Sequence, residues 1–438
     1  MPVDRDGYSQ CHGDERLSTK RPPSAVRGLL ALGGGSAGGY ALTLALSPIL
    51  TRLYSPELFG LFGVFSAIVA IFSIFATLSL ELGILGADRR SESLRFATGG
   101  LAAALFATAI ALPAAIFIGG SAPFGQLPIW AVCAALAVCL TTVLQLTATN
   151  WAIRTDRNNR AARATFAGLA GRSLLQVGFG FWFGGLGGLI AGEWLGRVAG
   201  WLTAEAGTAR AALRRITSAP RRIVAHLSRN RRYPFYVTPA VSIEVALVWL
   251  PAPFFAIAYG PDVGGFVALI QRLGSAPLTI VNQSLGQLVH RHAGDMIRVN
   301  PRRVLTLTSG LVLATLPLLA VLMAVLWFYG EQIAGAVFGT AWRQAGLVAL
   351  IFAPLYYVQF LSLVTNRLIL VLDRMRLKLA ASGLHLVVLV ASLPAARLAG
   401  LDWLGAMALL VTLLTLSYAA VFAFVLWLVD ARRRSVHP

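Results

Sequence analysis

The sequence predicts an all-α, polytopic membrane protein of about twelve transmembrane helices. Three observations carry the prediction. The 438 residues are 57% hydrophobic and only 13% charged, whereas roughly a quarter of a soluble domain is charged. Apolar runs recur along the chain at about the 20 residues needed to cross a bilayer. The basic residues collect in alternate gaps between those runs.

The runs lie near 28–50, 61–84, 97–119, 128–150, 163–184, 186–207, 235–257, 265–288, 304–328, 346–370, 379–397 and 404–429. Only Gly184, Gly185, Gly187 and Gly188 separate the fifth from the sixth. The topology of the first half depends on that cluster being a turn. Residues 1–25 are polar and mixed in charge, and read as a disordered tail. The first apolar run, from Val26 to Leu50, is too long for a signal-peptide core and reads as a permanent helix.

A net charge of +19 invites a nucleic-acid reading, but its distribution argues against one. Thirty of the 37 basic residues lie in the N-terminal tail, the C-terminal tail and the gaps on the same side of the bilayer. Arg52, Arg343 and Arg397 are alone on the other side, and Arg172, Arg197, Arg272 and Arg367 lie within spans. This is the positive-inside pattern, with both termini cytoplasmic, and it leaves no nucleic-acid partner to expect. Arg367 sits near a span end, where a long side chain snorkels to the headgroups.

The longest gap, 208–234, is basic and divides the chain into two halves of six spans. It reads as a cytoplasmic linker lying on anionic lipid headgroups. The expected organisation is a tail over 1–25, an N-lobe over 26–207, the linker over 208–234, a C-lobe over 235–429 and a cytoplasmic tail over 430–438. A short repeat supports the division. Tyr54-Ser55-Pro56-Glu57-Leu58-Phe59-Gly60 follows the first span, and Tyr259-Gly260-Pro261-Asp262-Val263-Gly264-Gly265 follows the seventh. Both read Y-x-P-[E/D]-x-x-G. Proline followed by an acidic residue suits a turn that starts a helix, with the acid at the favourable end of the helix dipole. Six spans per half is an even number, so the two lobes point the same way. They are then related by a pseudo-two-fold axis along the membrane normal.

Ionisable groups inside a bilayer are costly and mark functional positions. Arg172 and Arg197 are near mid-span, and Arg272 lies about a third of the way into its span. These three arginines are the substrate-binding candidates. A permanently charged, planar guanidinium suits an anionic substrate, phosphate above all. Glu193 precedes Arg197 by four residues, so an ion pair on one helix face competes with a transport role for both. Glu244, mid-way along the seventh span, is the ion-coupling candidate. Gly33–Gly39 in the first span, and Pro239, Pro251 and Pro253 in the seventh, allow close packing or bending.

The sequence holds no HExxH, no Walker A and no zinc-type cysteine pattern. Cys133 and Cys139 read as small packing residues. A transporter, with no enzymatic activity, metal or cofactor, is therefore expected, driven by ion gradients or by substrate consumption. A membrane polymerase or glycosyltransferase would need a larger outer loop than the one near 329–345.

The segment Ser47-Pro48-Ile49-Leu50-Thr51-Arg52-Leu53-Tyr54-Ser55-Pro56-Glu57-Leu58-Phe59-Gly60 resembles the polysaccharide biosynthesis/export family. These are lipid-linked oligosaccharide flippases for O-antigen and exopolysaccharide, within the multidrug/oligosaccharidyl-lipid/polysaccharide exporter superfamily. Leu80–Ile84, Arg232–Tyr236 and Val337–Gly346 resemble further segments of that family in the same order. The resemblance implies two six-helix lobes around a central cavity in a bacterial cytoplasmic membrane. It implies alternating-access flipping of an undecaprenyl-pyrophosphate-linked oligosaccharide. Membrane lipids, a polysaccharide polymerase and export machinery are the candidate partners. Arg272 and Glu244 would be cavity residues. Arg52, Tyr54, Pro56, Glu57, Gly60 and Glu81 fall on motif positions and are assigned structural or gating roles. The alternative is an ion-coupled exporter of the multidrug and toxin extrusion type, also of twelve helices. The excess of membrane arginine over carboxylate weighs against it.

Overall fold

The computed structural model describes residues 23–87, 89–118, 127–204, 228–279, 301–371 and 375–436, with six further positions between 205 and 227. The expected tail at 1–22 and most of the expected linker at 208–234 lie outside the described residues. All regular structure among the described residues is helical. In the first half, α1 is Pro23–Leu53, α2 Pro56–Thr77, α3 Glu81–Gly86, α4 Arg90–Ile118, α5 Ile129–Arg154, α6 Asn158–Trp182 and α7 Gly185–Ala204. In the second half, a π-helix at Tyr233–Val237 leads into α8 (Thr238–Trp249) and α9 (Pro251–Tyr259). Helix α10 covers 261–279. Helices α11 (Pro301–Phe338), α12 (Ala345–Val371), α13 (Met375–Leu398) and α14 (Trp403–Val436) complete the half. With α8 and α9 taken as one bent span and α3 as an appendage of α2, these are the twelve expected spans.

Seven of the helices are long and apolar enough to cross a membrane by composition, and the α8–α9 pair makes an eighth. The others include α1, α6 and α7, whose glycines and charges lower their hydropathy. Those polar residues build the site described below. At the opposite extreme is α11, 38 residues long, which turns Leu313, Leu318 and Trp327 outward. In lipid such a face needs no protein cover.

The structure alters several expected boundaries. Residues 23–25, assigned to the tail, begin α1, and α14 runs through the expected C-terminal tail to Val436. The second span breaks at 78–80, where Leu78 and Ser79 take positive φ angles of 53° and 52°. The glycine cluster after the fifth span is a true turn. Phe183 ends α6, Gly184 and Gly185 take positive φ angles of 58° and 67°, and α7 returns antiparallel along α6. Left-handed backbone of this kind is cheap only for glycine.

The two candidate flexible helices behave differently. Helix α1 is unbroken. Its glycines are packing sites, with Gly35 against the Ala162 backbone and Gly39 against Leu169 of α6. Helix α8 meets α9 at a 52° bend. Pro251 has no N–H to continue the ladder and its ring crowds the preceding turn, which is the usual cause of a kink. Gln271 Nε2 donates to the Val248 carbonyl beside the bend at 2.8 Å.

Helices α1–α7 pack mainly on one another, as do α8–α14. The halves meet through α2 against α8 and α9, and α1 against α11. At one end of the bundle, here termed the motif end, the two copies of the repeat face each other. Gly60 lies against Pro261, and Gly265 lies against Pro56. Around this crossing is the largest buried apolar cluster, with Leu50, Tyr54 and Phe59 from the first half and Phe255, Phe266 and Trp342 from the second. Trp342 is 1% exposed. Its ring meets Phe59 edge-on at 5.1 Å and Phe266 at 6.0 Å, and its Nε1 donates to the Thr51 carbonyl at 2.8 Å. The opposite end carries the arginine-rich turns and is termed the basic end.

Candidate functional site

The site begins with small residues on α7. Gly188, Gly192, Gly196 and Gly200 recur every four residues and so line one face of the helix. None has room for a Cβ. A Cβ on Gly192 would lie 2.7 Å from the Gln176 nitrogen, one on Gly196 would run into the Arg172 backbone, and one on Gly200 would lie 3.0 Å from the Ala164 carbonyl oxygen. Small residues at this spacing let two helix backbones approach closely in lipid. Helices α6 and α7 are thereby locked as a hairpin, and the residues following two of these glycines, Glu193 and Arg197, are brought to Arg172.

The three form a buried charge cluster. Glu193 Oε1 accepts from Arg172 Nη1 at 3.0 Å, from Arg197 Nη2 at 2.6 Å and from Arg197 Nε at 2.8 Å. The i,i+4 pair expected between Glu193 and Arg197 is present. A second cation from the neighbouring helix joins it, which the spacing of the sequence could not reveal.

Arg272 enters from the other half, on α10. Its Nη2 donates to Ser173 Oγ at 3.2 Å and its Nη1 to Gln176 Oε1 at 3.4 Å, both on α6. Ser173 Oγ also shares a hydrogen bond with Thr43 Oγ1 of α1 at 3.0 Å. Arg272 Nε is buried without a partner, and among the described residues Arg272 has no carboxylate partner. Three guanidiniums thus face one carboxylate.

These residues line a cavity of about 190 Å³ between the halves. Its wall is completed by Tyr40 and Thr43 of α1, Phe62 and Ser66 of α2, Trp249 at the bend and Gln271 of α10. Arg172 and Arg197 also face a second cavity of about 260 Å³ inside the first half, lined by Thr142, Gln145 and Thr165 among others. The two arginines therefore stand in the wall between the two spaces.

The predicted residues separate into four places. Arg172, Arg197 and Arg272 share the central cavity. Glu244 is not brought to them; it is half-exposed and paired with Lys378 Nζ of α13 at 2.9 Å. Of the motif residues, Arg52, Tyr54, Pro56, Glu57 and Gly60 gather at the motif end. Arg52 Nη2 donates to the Ala336 carbonyl of the other half at 3.1 Å, and Tyr54 Oη donates to the Gln176 carbonyl at 2.8 Å. Pro56 and Glu57 open the first turn of α2, and Gly60 lies at the crossing. Glu81 is at the basic end, buried after the 78–80 break, with Oε2 unpartnered and its carbonyl accepting from Asn150 Nδ2 at 3.2 Å.

Gln176 was missed at the sequence level. It is 1% exposed and joins three parts of the molecule. Its side chain accepts from Arg272 and donates to the Leu189 carbonyl at 3.2 Å, and its own carbonyl holds Tyr54. The available signal was its position four residues after Arg172, on the same face of a membrane span.

No family model matches the sequence, and no curated protein matches it. Solved structures do match its fold. An inward-facing multidrug resistance MATE family transporter of the MOP superfamily overlays with a TM-score of 0.65 at 15% identity, over 93% of this chain and 99% of that one. A MATE structure in complex with MaD5 gives 0.60 at 16%, over 94% and 96%. An outward-facing MATE transporter of the same superfamily gives 0.57 at 14%, over 95% and 98%. The chain has the two-lobed, twelve-helix fold of these transporters.

Proposed function

We propose that the protein is an alternating-access membrane transporter whose cargo is an amphiphile with an anionic group. The observation that carries this reading is the cavity between the halves, where three arginines face a single glutamate. Buried guanidiniums demand anionic partners, and among the described residues Arg272 has no carboxylate partner. A phosphate or pyrophosphate can take a guanidinium fork in two places. The cavity accommodates such a headgroup, while an acyl or prenyl chain stays in the surrounding lipid.

Two cargo readings compete for this cavity. An undecaprenyl-pyrophosphate-linked oligosaccharide is the flippase reading, supported by the motif segments and the sign of the cavity. A drug whose expulsion is driven by an ion gradient is the exporter reading, and the comparisons favour it over the flippase, because the matching structures are MATE transporters. In this reading both termini are cytoplasmic and the motif end faces outward, as the excess of basic residues on one side supports.

Binding to the purified protein in detergent separates the two. Undecaprenyl pyrophosphate is expected to bind and to raise the melting temperature, and Arg272→Ala is expected to weaken that binding about tenfold or more, consistent with loss of a charge-assisted contact. A cationic dye is expected to bind poorly. Tight dye binding with no response to the pyrophosphate would hand the site to the exporter reading.

A further inference from the structure

The motif end contains a contact that neither cargo reading uses. Gly60 of α2 meets the Pro261 peptide of α10, and Gly265 of α10 meets the Pro56 peptide of α2. A Cβ on Gly60 would lie 2.7 Å from the Pro261 carbonyl carbon and 3.0 Å from the Gly265 nitrogen. A Cβ on Gly265 would lie 2.7 Å from the Pro56 carbonyl carbon and 3.1 Å from its Cα. The obstructing atoms are backbone, so no rotamer change relieves the clash. Both glycines are in ordinary helix, so neither is needed for a positive φ. Their place is set by the approach of the two helices alone.

We propose that Gly60 and Gly265 form a reciprocal clasp that permits the motif end to close, and that either methyl group would hold it open. The proposal rests on the alternating-access reading. The first turns of α2 and α10 cross where Arg52 reaches Ala336 and Trp342 reaches Thr51, so the crossing lies at the centre of the seal between the halves. When the halves part at this end, residues 60 and 265 face open space and a methyl there meets nothing. Substitution therefore penalises one conformation and leaves the other untouched, which is the condition for shifting a two-state equilibrium. One turn further along α2, a Cβ on Gly63 would lie 3.3 and 3.4 Å from the Ala268 and Ala252 methyls. That contact is tight by only a few tenths of an ångström, against the backbone overlap at Gly60 and Gly265, so Gly63→Ala serves as the control.

A Ser66→Cys reporter in a background lacking Cys11, Cys133 and Cys139 places a thiol on the cavity wall. A membrane-impermeant maleimide is applied to the motif face in whole cells and to the basic face in everted vesicles. Gly60→Ala and Gly265→Ala are each expected to raise motif-face labelling about tenfold or more and to lower basic-face labelling in parallel. The double variant is expected to add little, because one methyl already keeps the crossing apart. Gly63→Ala is expected to label like the parent. Should Gly60→Ala yield no monodisperse protein, Gly265→Ala probes the same step from the other side. Trp342→Ala opens the seal by a different route. Labelling that rises in Trp342→Ala but in neither glycine variant overturns the clasp and leaves alternating access standing. Labelling confined to the basic face in all three overturns both.

Discussion

At the motif end, residue 60 of the first half meets residue 261 of the second, and residue 265 meets residue 56. Each half presents the same surface to the other. In the cavity the contributions differ. The first half supplies Arg172, Glu193 and Arg197 from the α6–α7 hairpin, and the second supplies Arg272 from α10. The counterpart of the charged hairpin in the second half is α13–α14. There His385 stacks on Tyr418 with ring centroids 3.7 Å apart, in place of an ion cluster. The two halves share the shape that closes the molecule and not the chemistry that lines it. A seal depends on backbone proximity, which a repeat reproduces. A binding site for an asymmetric cargo needs charges in one place.

Removing Glu193 should break the charged side of this comparison most severely. Glu193→Ala leaves Arg172 and Arg197 adjacent with no counter-charge, and loss of one member of a buried ion cluster costs about 3–5 kcal/mol. The variant should melt well below the parent in detergent, and adding Arg197→Met should recover much of the loss. A double variant as unstable as the single would show that the ion cluster is not what holds the hairpin.

The symmetric side should be weakened by Trp342→Ala, which empties the space between Phe59 and Phe266 and orphans the Thr51 carbonyl. A large-to-small change of this kind costs on the order of 3 kcal/mol. Unfolding should be accompanied by loss of the interlobe contact between Arg52 and Ala336, read as slower cross-linking of cysteines placed there. Unchanged cross-linking would remove Trp342 from the seal.

A milder test acts on the hairpin itself. Gly196→Ala forces a methyl into the Arg172 backbone, and overpacking typically costs about 1–3 kcal/mol. It should weaken pyrophosphate binding without altering any charge. Equal binding would show that the glycine ladder is dispensable for placing Arg172.

The smallest effect is expected at the half-exposed Glu244–Lys378 pair. Pairs of this kind contribute about 0–1 kcal/mol and fade with salt. Glu244→Gln should therefore change the melting temperature little. Its transport, if Glu244 couples an ion, should lose gradient dependence; undiminished gradient-driven transport would end that assignment.

Much of this architecture was legible in the sequence. Composition and spacing located the spans, though the ninth runs ten residues past its expected end to Phe338 and the end of the eighth lies outside the described residues, and the Y-x-P-[E/D]-x-x-G pair marked two halves. The pairing of Glu193 with Arg197 was readable because i,i+4 neighbours share a helix face. The addition of Arg172 was not, because it depends on how α6 and α7 rotate against each other. The ladder Gly188, Gly192, Gly196, Gly200 held that information, yet these glycines blended into a chain that has 43. The cross-cavity bonds of Arg272 to Ser173 and Gln176 were beyond reach for the same reason. They join positions about a hundred residues apart, whose meeting is set by the docking of the two halves. Glu244 looked like a cavity residue because depth along a span can be counted from sequence, whereas the direction it faces cannot.

The reciprocal crossing has a consequence for ancestry. A contact in which residue i meets j and j′ meets i′ is the kind made by a two-fold homodimer. A six-helix ancestor could have closed against a second copy of itself with a single glycine per subunit. Any mutation there would have struck both sides of the seam at once. In a single chain the two glycines are separate genetic targets, each still answerable to the proline of the other half. A change at the seam must therefore satisfy both halves, whereas the cavity wall, free of that bond, is open to change one half at a time.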